Sequence, residues 1–163
     1  MNRAVFLDRD GVINRKGGFY YIFSEKDFFF NDGVIEALRY FSGKGYLLIV
    51  ITNQGGIAKA IFTSDQVEKL HDLMKKQLSA AGIDIEAIYY CPHHPDISTC
   101  ECRKPGSLLF EKAITEHHID RGSSFMIGDS EIDIQASEKA GVKGILIPTN
   151  GNMMDLVIRT GLI

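Results

Sequence analysis

The sequence predicts an α/β fold, a three-layer Rossmann-like arrangement in which helices cover both faces of a parallel sheet. Short apolar segments with the length of buried strands alternate with segments that have helical spacing. Polar residues follow several of these apolar segments directly, as they do where parallel strands end beside a ligand site. At 163 residues the chain has the length of one domain, and we expect a single domain over residues 1–163.

The first half of the chain predicts two strands and two helices. Ala4–Leu7 is an apolar run closed by an acid, which is typical of a buried strand. Val34–Phe41 has apolar residues at helical spacing, and the glycines that follow it are common just beyond a helix end. Tyr46–Ile51 is continuously apolar, as in a strand buried on both faces. A Thr-x-x-Gln capping box then predicts a helix that runs to about Ala81.

The second half predicts three strands alternating with three helices on the same criteria. The strands are expected at Ile85–Tyr90, Ser124–Ile127 and Val142–Ile147, and the helices at Leu108–His118, Ile132–Ala140 and Met153–Ile158. The whole pattern leaves no room for a cap domain between the first strand and the first helix, or between the second strand and the third.

Net charge and the length of the apolar runs exclude some classes of binding partner. The net charge is −3 and the pI about 5.9, which excludes a basic nucleic-acid-binding surface as the main purpose. No apolar run approaches the ~18–20 residues of a membrane span, and the N-terminal run is shorter than the ~7–15 apolar residues of a signal peptide. We therefore expect a cytoplasmic protein that binds neither nucleic acid nor membrane. Composition is silent on oligomeric state, and a monomer that acts on a small molecule is our expectation.

Acidic residues at two predicted strand ends indicate a cation site. Asp8 and Asp10 follow the first strand, and Asp129 follows the fourth. An Asp-x-Asp pair by itself is common in solvated turns, but parallel strands bring these ends together, and Mg²⁺ prefers carboxylate and carbonyl oxygens. Asp133 lies one helical turn after Asp129 on the same face and could orient it or a nearby lysine, or could simply be an acid favoured by the helix dipole.

The cysteines indicate a second metal site. All three, Cys91, Cys100 and Cys102, fall within twelve residues, and His93 stands among them. A Cys₃His set suits a tetrahedral structural Zn²⁺, with no open position for catalysis. The alternative is three buried thiols, since free cysteine is often found in cores. His94 is expected to face solvent.

These motifs resemble the haloacid dehalogenase superfamily of phosphohydrolases. Within it the similarity is greatest to the capless D-glycero-D-manno-heptose 1,7-bisphosphate phosphatases, and next to the histidinol-phosphate phosphatases. The matching segments follow in order over nearly the whole chain: Val5–Asn14, Thr52–Gln54, Gly56–Ala58, Tyr89–Pro95, Cys100–Pro105 and Gly128–Asp129.

The resemblance implies a Mg²⁺-dependent phosphatase that works through an aspartyl phosphate. Asp8 would be the nucleophile and Asp10 the general acid and base, and Mg²⁺ would bind Asp8, Asp129 and the backbone carbonyl of Asp10. The implied phosphate- or substrate-binding residues are Thr52, Asn53, Gln54, Arg103 and Lys104, with Lys16, Gly18 and Phe19 as further candidates, and Asp133 as a supporting residue behind the metal ligands.

The implied reaction is removal of the 7-phosphate of D-glycero-D-manno-heptose 1,7-bisphosphate, a step toward ADP-heptose or GDP-heptose. Histidinol-phosphate hydrolysis is the alternative, and a phospho-receiver domain, which also phosphorylates an aspartate, is the non-enzyme alternative. Gly55 and Ser130 depart from the family pattern, which often has serine and lysine at those positions.

Two further features bear on the substrate. Arg15, Lys16 and Arg103 are candidates to hold a second phosphate, although the first two could equally be solvated loop cations. Residues 19–30 are rich in aromatic side chains, most of which are expected to pack against the sheet edge or a helix, while some could form a partial lid.

Overall fold

A computed structural model of the chain describes residues 1–18 and 21–162. The strands are β1 (Ala4–Leu7), β2 (Leu47–Asn53), β3 (Ala87–Cys91), β4 (Phe125–Gly128) and β5 (Lys143–Leu146). The α-helices are α1 (Val34–Gly43), α2 (Ser64–Ala80), α3 (Leu108–Glu116), α4 (Glu131–Lys139) and α5 (Met153–Arg159), and a 3₁₀ turn spans Glu25–Asp27.

The strands form one parallel sheet in the order β3-β2-β1-β4-β5. The chain builds outward from β1 in one direction, through β2 and β3, and then crosses to the other side to add β4 and β5. The strand order therefore reverses at β1, and ligands bind beyond the carboxyl ends of the strands at such a reversal. Leu7 pairs with Val50 of β2 and Ile127 of β4, so Asp8 emerges between the ends of both neighbouring strands.

Two apolar cores lie on opposite faces of the sheet, because successive side chains of a strand point to opposite faces. Val5 and Leu7 of β1 belong to the core that α1, α2 and α5 cover. Ala4 and Phe6 belong to the core covered by α3 and α4. The predicted three-layer α/β fold is confirmed, with helices on both faces of a parallel sheet.

Some element ends differ from the prediction for physical reasons. β2 continues through Thr52 and Asn53, which pair in register with β3 instead of following the strand. α3 ends at Glu116, because His118 has a left-handed φ of 52° and its carbonyl accepts a hydrogen bond from the Asn2 N–H at 2.9 Å. Hydrophobic periodicity along α3 carries no signal of this hydrogen bond, because its donor, Asn2, lies more than a hundred residues away in the sequence.

The predicted absence of a cap agrees with the part of the chain that is described. Between β1 and α1, residues 8–18 and 21–33 form turns, isolated bridges and the single 3₁₀ turn, and α2 is the element between β2 and β3. Within the described ranges, every helix is too short or too polar to cross a membrane.

Candidate active site

A cavity of about 320 Å³ opens at the carboxyl ends of β1, β2 and β4, where the strand order reverses. It contains most of the site residues that the sequence predicts: Asp8, Asp10, Lys16, Thr52, Asn53, Arg103, Lys104, Asp129 and Asp133. Tyr21, Gly55, His94, Ser130, Ile132 and Thr149 also line it.

Lys104 is the buried cation of this cavity. Its Nζ donates to Asp8 Oδ1 at 2.9 Å and to the Ile51 carbonyl at 2.7 Å, and it lies 2.7 Å from Asp133 Oδ1. An ammonium has three donors, and these three acceptors use all of them. The position of Lys104 beside Asp8 is therefore fixed before any ligand binds.

Burial and charge set the protonation of this pair. Burial raises the pKa of Asp8 to about 7; Lys104 opposes that rise, while Asp133 and Asp129 add to it. Burial disfavours the ammonium form of Lys104, but Asp8 and Asp133 outweigh it and raise the Lys104 pKa. The cavity thus concentrates more negative charge than one lysine neutralises, which is an environment suited to a divalent cation.

The carboxylates of Asp8, Asp129 and Asp133 have oxygens within 4.8 Å of one another. Asp133 is already committed on both sides, because Oδ1 faces Lys104 and Oδ2 accepts from the N–H groups of Asp129 and Ser130 at 3.2 Å each. Asp129 accepts from Thr149 Oγ1 at 2.8 Å. Asp8 and Asp129 are therefore the acids best placed for a cation, with Asp133 behind them as a support.

Asp10 lies in a different environment from Asp8. Its two oxygens lie 2.9 and 3.0 Å from Arg9 Nη2, and they also accept from Asn14 Nδ2 at 3.0 Å and Gln54 Nε2 at 3.1 Å. The Arg9 side chain is fully buried. The Asp10 carboxylate is therefore held by Arg9, Asn14 and Gln54 and is not one of the three converging acids.

Sequence reasoning missed the partner behind Arg9. His71 of α2 is buried, and its Nε2 lies 3.0 Å from Arg9 Nη1. Because arginine only donates, Nε2 accepts and the proton sits on Nδ1. Burial and Arg9 lower the pKa of His71 to about 3, so this histidine is neutral. Its position between Leu70 and Met74 on the buried face of α2 was the available signal.

Gln54 and Asn53 have contacts that the motif did not specify. Gln54, a predicted phosphate- or substrate-binding residue, does not line the cavity. It is buried and donates to Asp10 Oδ2 and Thr52 Oγ1. Asn53 reaches the cavity, but its amide brackets the backbone of Lys104, accepting from the N–H at 3.0 Å and donating to the carbonyl at 3.2 Å. Both residues support the catalytic candidates from behind.

Arg103 and His94 form one wall of the cavity. Arg103 Nη1 donates to the His93 carbonyl at 3.1 Å. A Cβ at Gly55 would lie 2.9 Å from both Arg103 Nη1 and His94 Cδ2, so the missing side chain at Gly55 leaves the space that they fill. The expectation that His94 faces solvent is wrong: its side chain is 16% exposed and lines the cavity.

Arg15 and Lys16 follow the loop of residues 8–14, called the catalytic loop below, and have different surroundings. Lys16 lines the cavity, whereas Arg15 turns toward Asp32, with Nη2 3.8 Å from the carboxylate. Gly18 is exposed and is not part of the wall. Phe19 lies outside the described residues.

The described part of the aromatic segment has a mixed role. Tyr21 lines the cavity and contacts Phe62 edge-on, with ring centroids 5.6 Å apart. Phe23 stacks on the same Phe62 at 5.2 Å, while Phe28 is buried in the core on the α1 side of the sheet. Most of these rings therefore pack, and one of them reaches the cavity.

The four predicted zinc ligands converge. Cys91 Sγ lies 3.5 Å from His93 Nδ1, 3.6 Å from Cys100 Sγ and 2.9 Å from Cys102 Sγ, and all four ligand atoms are within 4.8 Å of one another. None of the cysteines is in a disulfide. The quartet offers the soft, tetrahedral donor set that Zn²⁺ takes in structural sites.

Comparison with known proteins agrees with this geometry. A family model described as HAD-hydrolase-like matches residues 101–158. The D-glycero-β-D-manno-heptose-1,7-bisphosphate 7-phosphatase of Pasteurella multocida (strain Pm70) is 41% identical over 156 residues, which cover 93% of this chain and 84% of that protein. The enzyme of the same name from Photorhabdus laumondii subsp. laumondii is 46% identical over 145 residues, covering 85% and 76%.

A solved structure extends the agreement to the fold. The D,D-heptose 1,7-bisphosphate phosphatase from B. bronchiseptica, complexed with magnesium and phosphate, aligns with a TM-score of 0.84 at 30% identity, covering 98% of this chain and 87% of that one. The relatives are phosphatases, which removes the receiver-domain alternative. By fold and by sequence, this chain is a phosphoric monoester hydrolase of the haloacid dehalogenase-like superfamily and belongs to its heptose 1,7-bisphosphate phosphatase family.

Proposed function

We propose that the chain removes the 7-phosphate of D-glycero-D-manno-heptose 1,7-bisphosphate, leaving the 1-phosphate for nucleotide-heptose synthesis. The observation that carries this proposal is the arrangement of Asp8 and Lys104 at the reversal of strand order. A carboxylate oxygen sits 2.9 Å from a buried ammonium, with two further acids close by. Relatives above 40% identity bear the name of this activity.

Asp8 attacks the phosphorus atom in this mechanism. A carboxylate oxygen forms the new P–O bond as the bond from phosphorus to the sugar oxygen breaks, and an aspartyl phosphate results. Repulsion between the carboxylate and the phosphate opposes the approach. Lys104, fixed between Asp8 and Asp133, offsets part of that charge without having to reorganise during the reaction.

Asp10 moves the proton. This role requires a protonated Asp10 when substrate binds. Asp10 gives that proton to the departing sugar oxygen, and then takes one from the water that attacks the aspartyl phosphate, so that Asp8 and inorganic phosphate are released and the Asp10 carboxyl is protonated again. Its carboxylate lies in the cavity wall with Arg9, Asn14 and Gln54 around it, and these three side chains fix its direction.

The residues present fit a Mg²⁺ ion. Asp8, Asp129 and the backbone carbonyl of Asp10 would hold it, and Asp133 and Thr149 would orient Asp129. When bound, the ion supplies positive charge that polarises the phosphoryl oxygens and screens the nucleophile. The solved relative that binds magnesium and phosphate supports this part of the proposal.

The zinc quartet is proposed as a structural site. Its last ligand, Cys102, is followed directly by Arg103 and Lys104. Four protein ligands leave no coordination position for substrate, so the ion would act by holding this loop. The loop in turn fixes where the guanidinium and the ammonium lie.

The cations at the cavity favour a bisphosphate over histidinol phosphate. Arg103 and Lys16 both line the cavity beyond the Asp8–Lys104 pair. A second phosphate would gain charge-assisted hydrogen bonds from them, whereas histidinol phosphate would bring its own ammonium toward two cations. A substrate with a second phosphate therefore matches the positive charge of Arg103 and Lys16 better than histidinol phosphate does.

The test is release of inorganic phosphate from heptose 1,7-bisphosphate (first as the β anomer), heptose 7-phosphate and histidinol phosphate. Asp8→Asn should remove turnover while the melting temperature stays near that of the wild type. One charge-assisted contact predicts roughly a 10- to 150-fold higher kcat/KM for the bisphosphate than for the 7-phosphate. A wild-type preference for histidinol phosphate would overturn the substrate assignment, and an active Asp8→Asn protein would overturn the nucleophile.

A further inference from the structure

The side chain of Asn150 is attached to the backbone of the loop that carries Lys16. Its Oδ1 accepts from the Lys16 N–H at 2.8 Å, and its Nδ2 donates to the Lys16 carbonyl at 2.8 Å. A side-chain amide here pairs with both polar groups of one residue, as a neighbouring strand would. These are the hydrogen bonds that the described residues make to the Lys16 backbone.

The backbone around Asn150 ties the same loop to the catalytic residues. The Asn150 N–H donates to the Gly11 carbonyl at 2.8 Å, and the preceding Thr149 donates to Asp129. Asn150 has a left-handed φ of 60°, a conformation that asparagine adopts more readily than most residues. The turn after β5 therefore contacts the catalytic loop, an acid of the cation site and the Lys16 loop together.

Few other contacts restrain Lys16. Arg15 is fixed by its N–H, which donates to the Phe29 carbonyl at 2.8 Å. At Gly17 and Gly18, by contrast, no atom of the described residues lies within 4 Å of the place where a Cβ would be. Lys16 forms no ion pair with any residue that the structure describes, and its side chain lines the cavity. The Lys16 ammonium is therefore available to a phosphate in the cavity. The Asn150 amide fixes the position of the backbone from which the Lys16 side chain extends.

We propose that Asn150 is a positioning residue for substrate specificity, which holds Lys16 so that its ammonium meets the phosphate that is not cleaved. The inference rests on the proposed bisphosphate activity and adds to it a residue that touches neither the substrate nor the reacting atoms. Pre-organisation is the physical basis: a cation already held in place loses less conformational entropy when the second phosphate arrives.

The experiment is a double-mutant cycle with Asn150→Gly and Lys16→Ala. Glycine keeps the left-handed backbone and the hydrogen bond to Gly11 while removing only the amide. The readout is the ratio of kcat/KM for heptose 1,7-bisphosphate to that for p-nitrophenyl phosphate, which has no second phosphate. Asn150→Gly should lower this ratio roughly 3- to 10-fold, mainly through KM for the bisphosphate. In the Lys16→Ala background the same change should have no further effect.

Asn152→Ala is the matched control. Asn152 lies in the same turn, and its side chain caps α5 by accepting from the Asp155 N–H, without contacting Lys16. This variant should melt earlier and keep the wild-type ratio. Asn150→Asp keeps the acceptor for the Lys16 N–H and loses the donor, so its ratio should fall between wild type and Asn150→Gly.

The outcomes separate the two proposals. If wild type shows no preference for the bisphosphate, the proposed substrate is wrong. If wild type prefers the bisphosphate but Asn150→Gly keeps the full preference, or lowers it equally with and without Lys16, the positioning role of Asn150 is wrong.

Discussion

Asp8 is the residue where burial and function conflict most directly. Its pKa is raised to about 7 from the usual 3.8, chiefly by burial, so the proposed nucleophile keeps its proton to a higher pH than an exposed aspartate does. A cation that binds the carboxylate has to displace that proton. The raised pKa therefore couples metal affinity to pH.

This coupling predicts proton release on Mg²⁺ binding. More protons should be released per ion at pH 6 than at pH 9, because the raised pKa keeps more of the Asp8 carboxyl protonated at the lower pH. Apparent Mg²⁺ affinity should correspondingly fall toward tenfold per pH unit below the pKa. Calorimetric titration in buffers of different ionisation enthalpy measures the released protons. Asp8→Asn, which has nothing to titrate at this site, is the control, and pH-independent release in the wild type would contradict the assignment.

Gly55 is a second residue whose effect is local. A side chain there has to displace the end of Arg103 or the His94 ring, each 2.9 Å from the Cβ position. Of these, the guanidinium is the more easily moved, and it would lose its hydrogen bond to the His93 carbonyl.

We therefore expect Gly55→Ser to reduce the preference for the bisphosphate by roughly 3- to 10-fold, the value of about one hydrogen bond. The melting temperature should change little, since the displaced group is the far end of a flexible side chain. Gly43→Ser is the matched control, because no described residue outside its own helix lies within 4 Å of its Cβ position. Equal substrate preference in the two variants would show that Arg103 does not depend on Gly55.

At the scale of elements, helix α2 supports the catalytic loop through the contact of His71 with Arg9. His71 Nε2 accepts a hydrogen bond from Arg9, and Arg9 in turn donates to the Asp10 carboxylate. A helix that has no residue in the cavity therefore helps to orient the proposed acid and base. The contact requires a neutral histidine. The pKa of about 3 is well below the 6.5 of an unfolded chain.

The sign of the pH effect follows from these values. Between pH 6.5 and 3 the unfolded chain binds a proton at His71 and the folded chain does not, so this residue makes stability fall as pH falls through that window. The slope approaches roughly 1.4 kcal/mol per pH unit in the middle of the window.

His71→Gln should remove this contribution, because the amide oxygen can still accept from Arg9 and does not titrate. His71→Leu should instead cost about 1–3 kcal/mol at pH 8, since it leaves a buried guanidinium N–H without its acceptor, and this cost should shrink toward pH 4.5 because leucine does not titrate either. Urea unfolding from pH 4.5 to 8 measures both. Asp8 contributes to the pH dependence in all three proteins, so the informative quantity is each variant's difference from wild type, and an identical slope for wild type and His71→Gln would refute the assignment.

At the scale of the whole molecule, the sequence predicts what depends on short-range pattern and strand topology. The alternation of strands and helices is visible in the chain, and parallel strands place Asp8, Asp129 and the end of β2 at one edge. The cysteine quartet is visible because its spacing is short. Contacts made by isolated polar residues across long separations are not visible, since Asn150 with Lys16 and His71 with Arg9 carry no periodicity of their own.

The same reasoning explains the misplaced residues. Gln54 belongs to the Thr52–Gln54 motif, but it is buried and donates to Asp10 and Thr52 instead of lining the cavity. His94 lines the cavity, although the sequence predicts that it faces solvent. A motif gives the residue type and its order along the chain, whereas the direction of a side chain depends on packing partners from other elements.

The reversal of strand order also divides the molecule into two halves that need each other. A cut in the exposed stretch 95–99 would leave β1, β2, β3, α1 and α2 on one fragment and β4, β5, α3, α4 and α5 on the other. Asp8 would belong to the first fragment, and Lys104 and Asp129 to the second. The zinc quartet would be shared as well, with Cys91 and His93 on one side and Cys100 and Cys102 on the other. If the quartet binds zinc as proposed, we expect two such fragments mixed together to release phosphate only when Zn²⁺ is added.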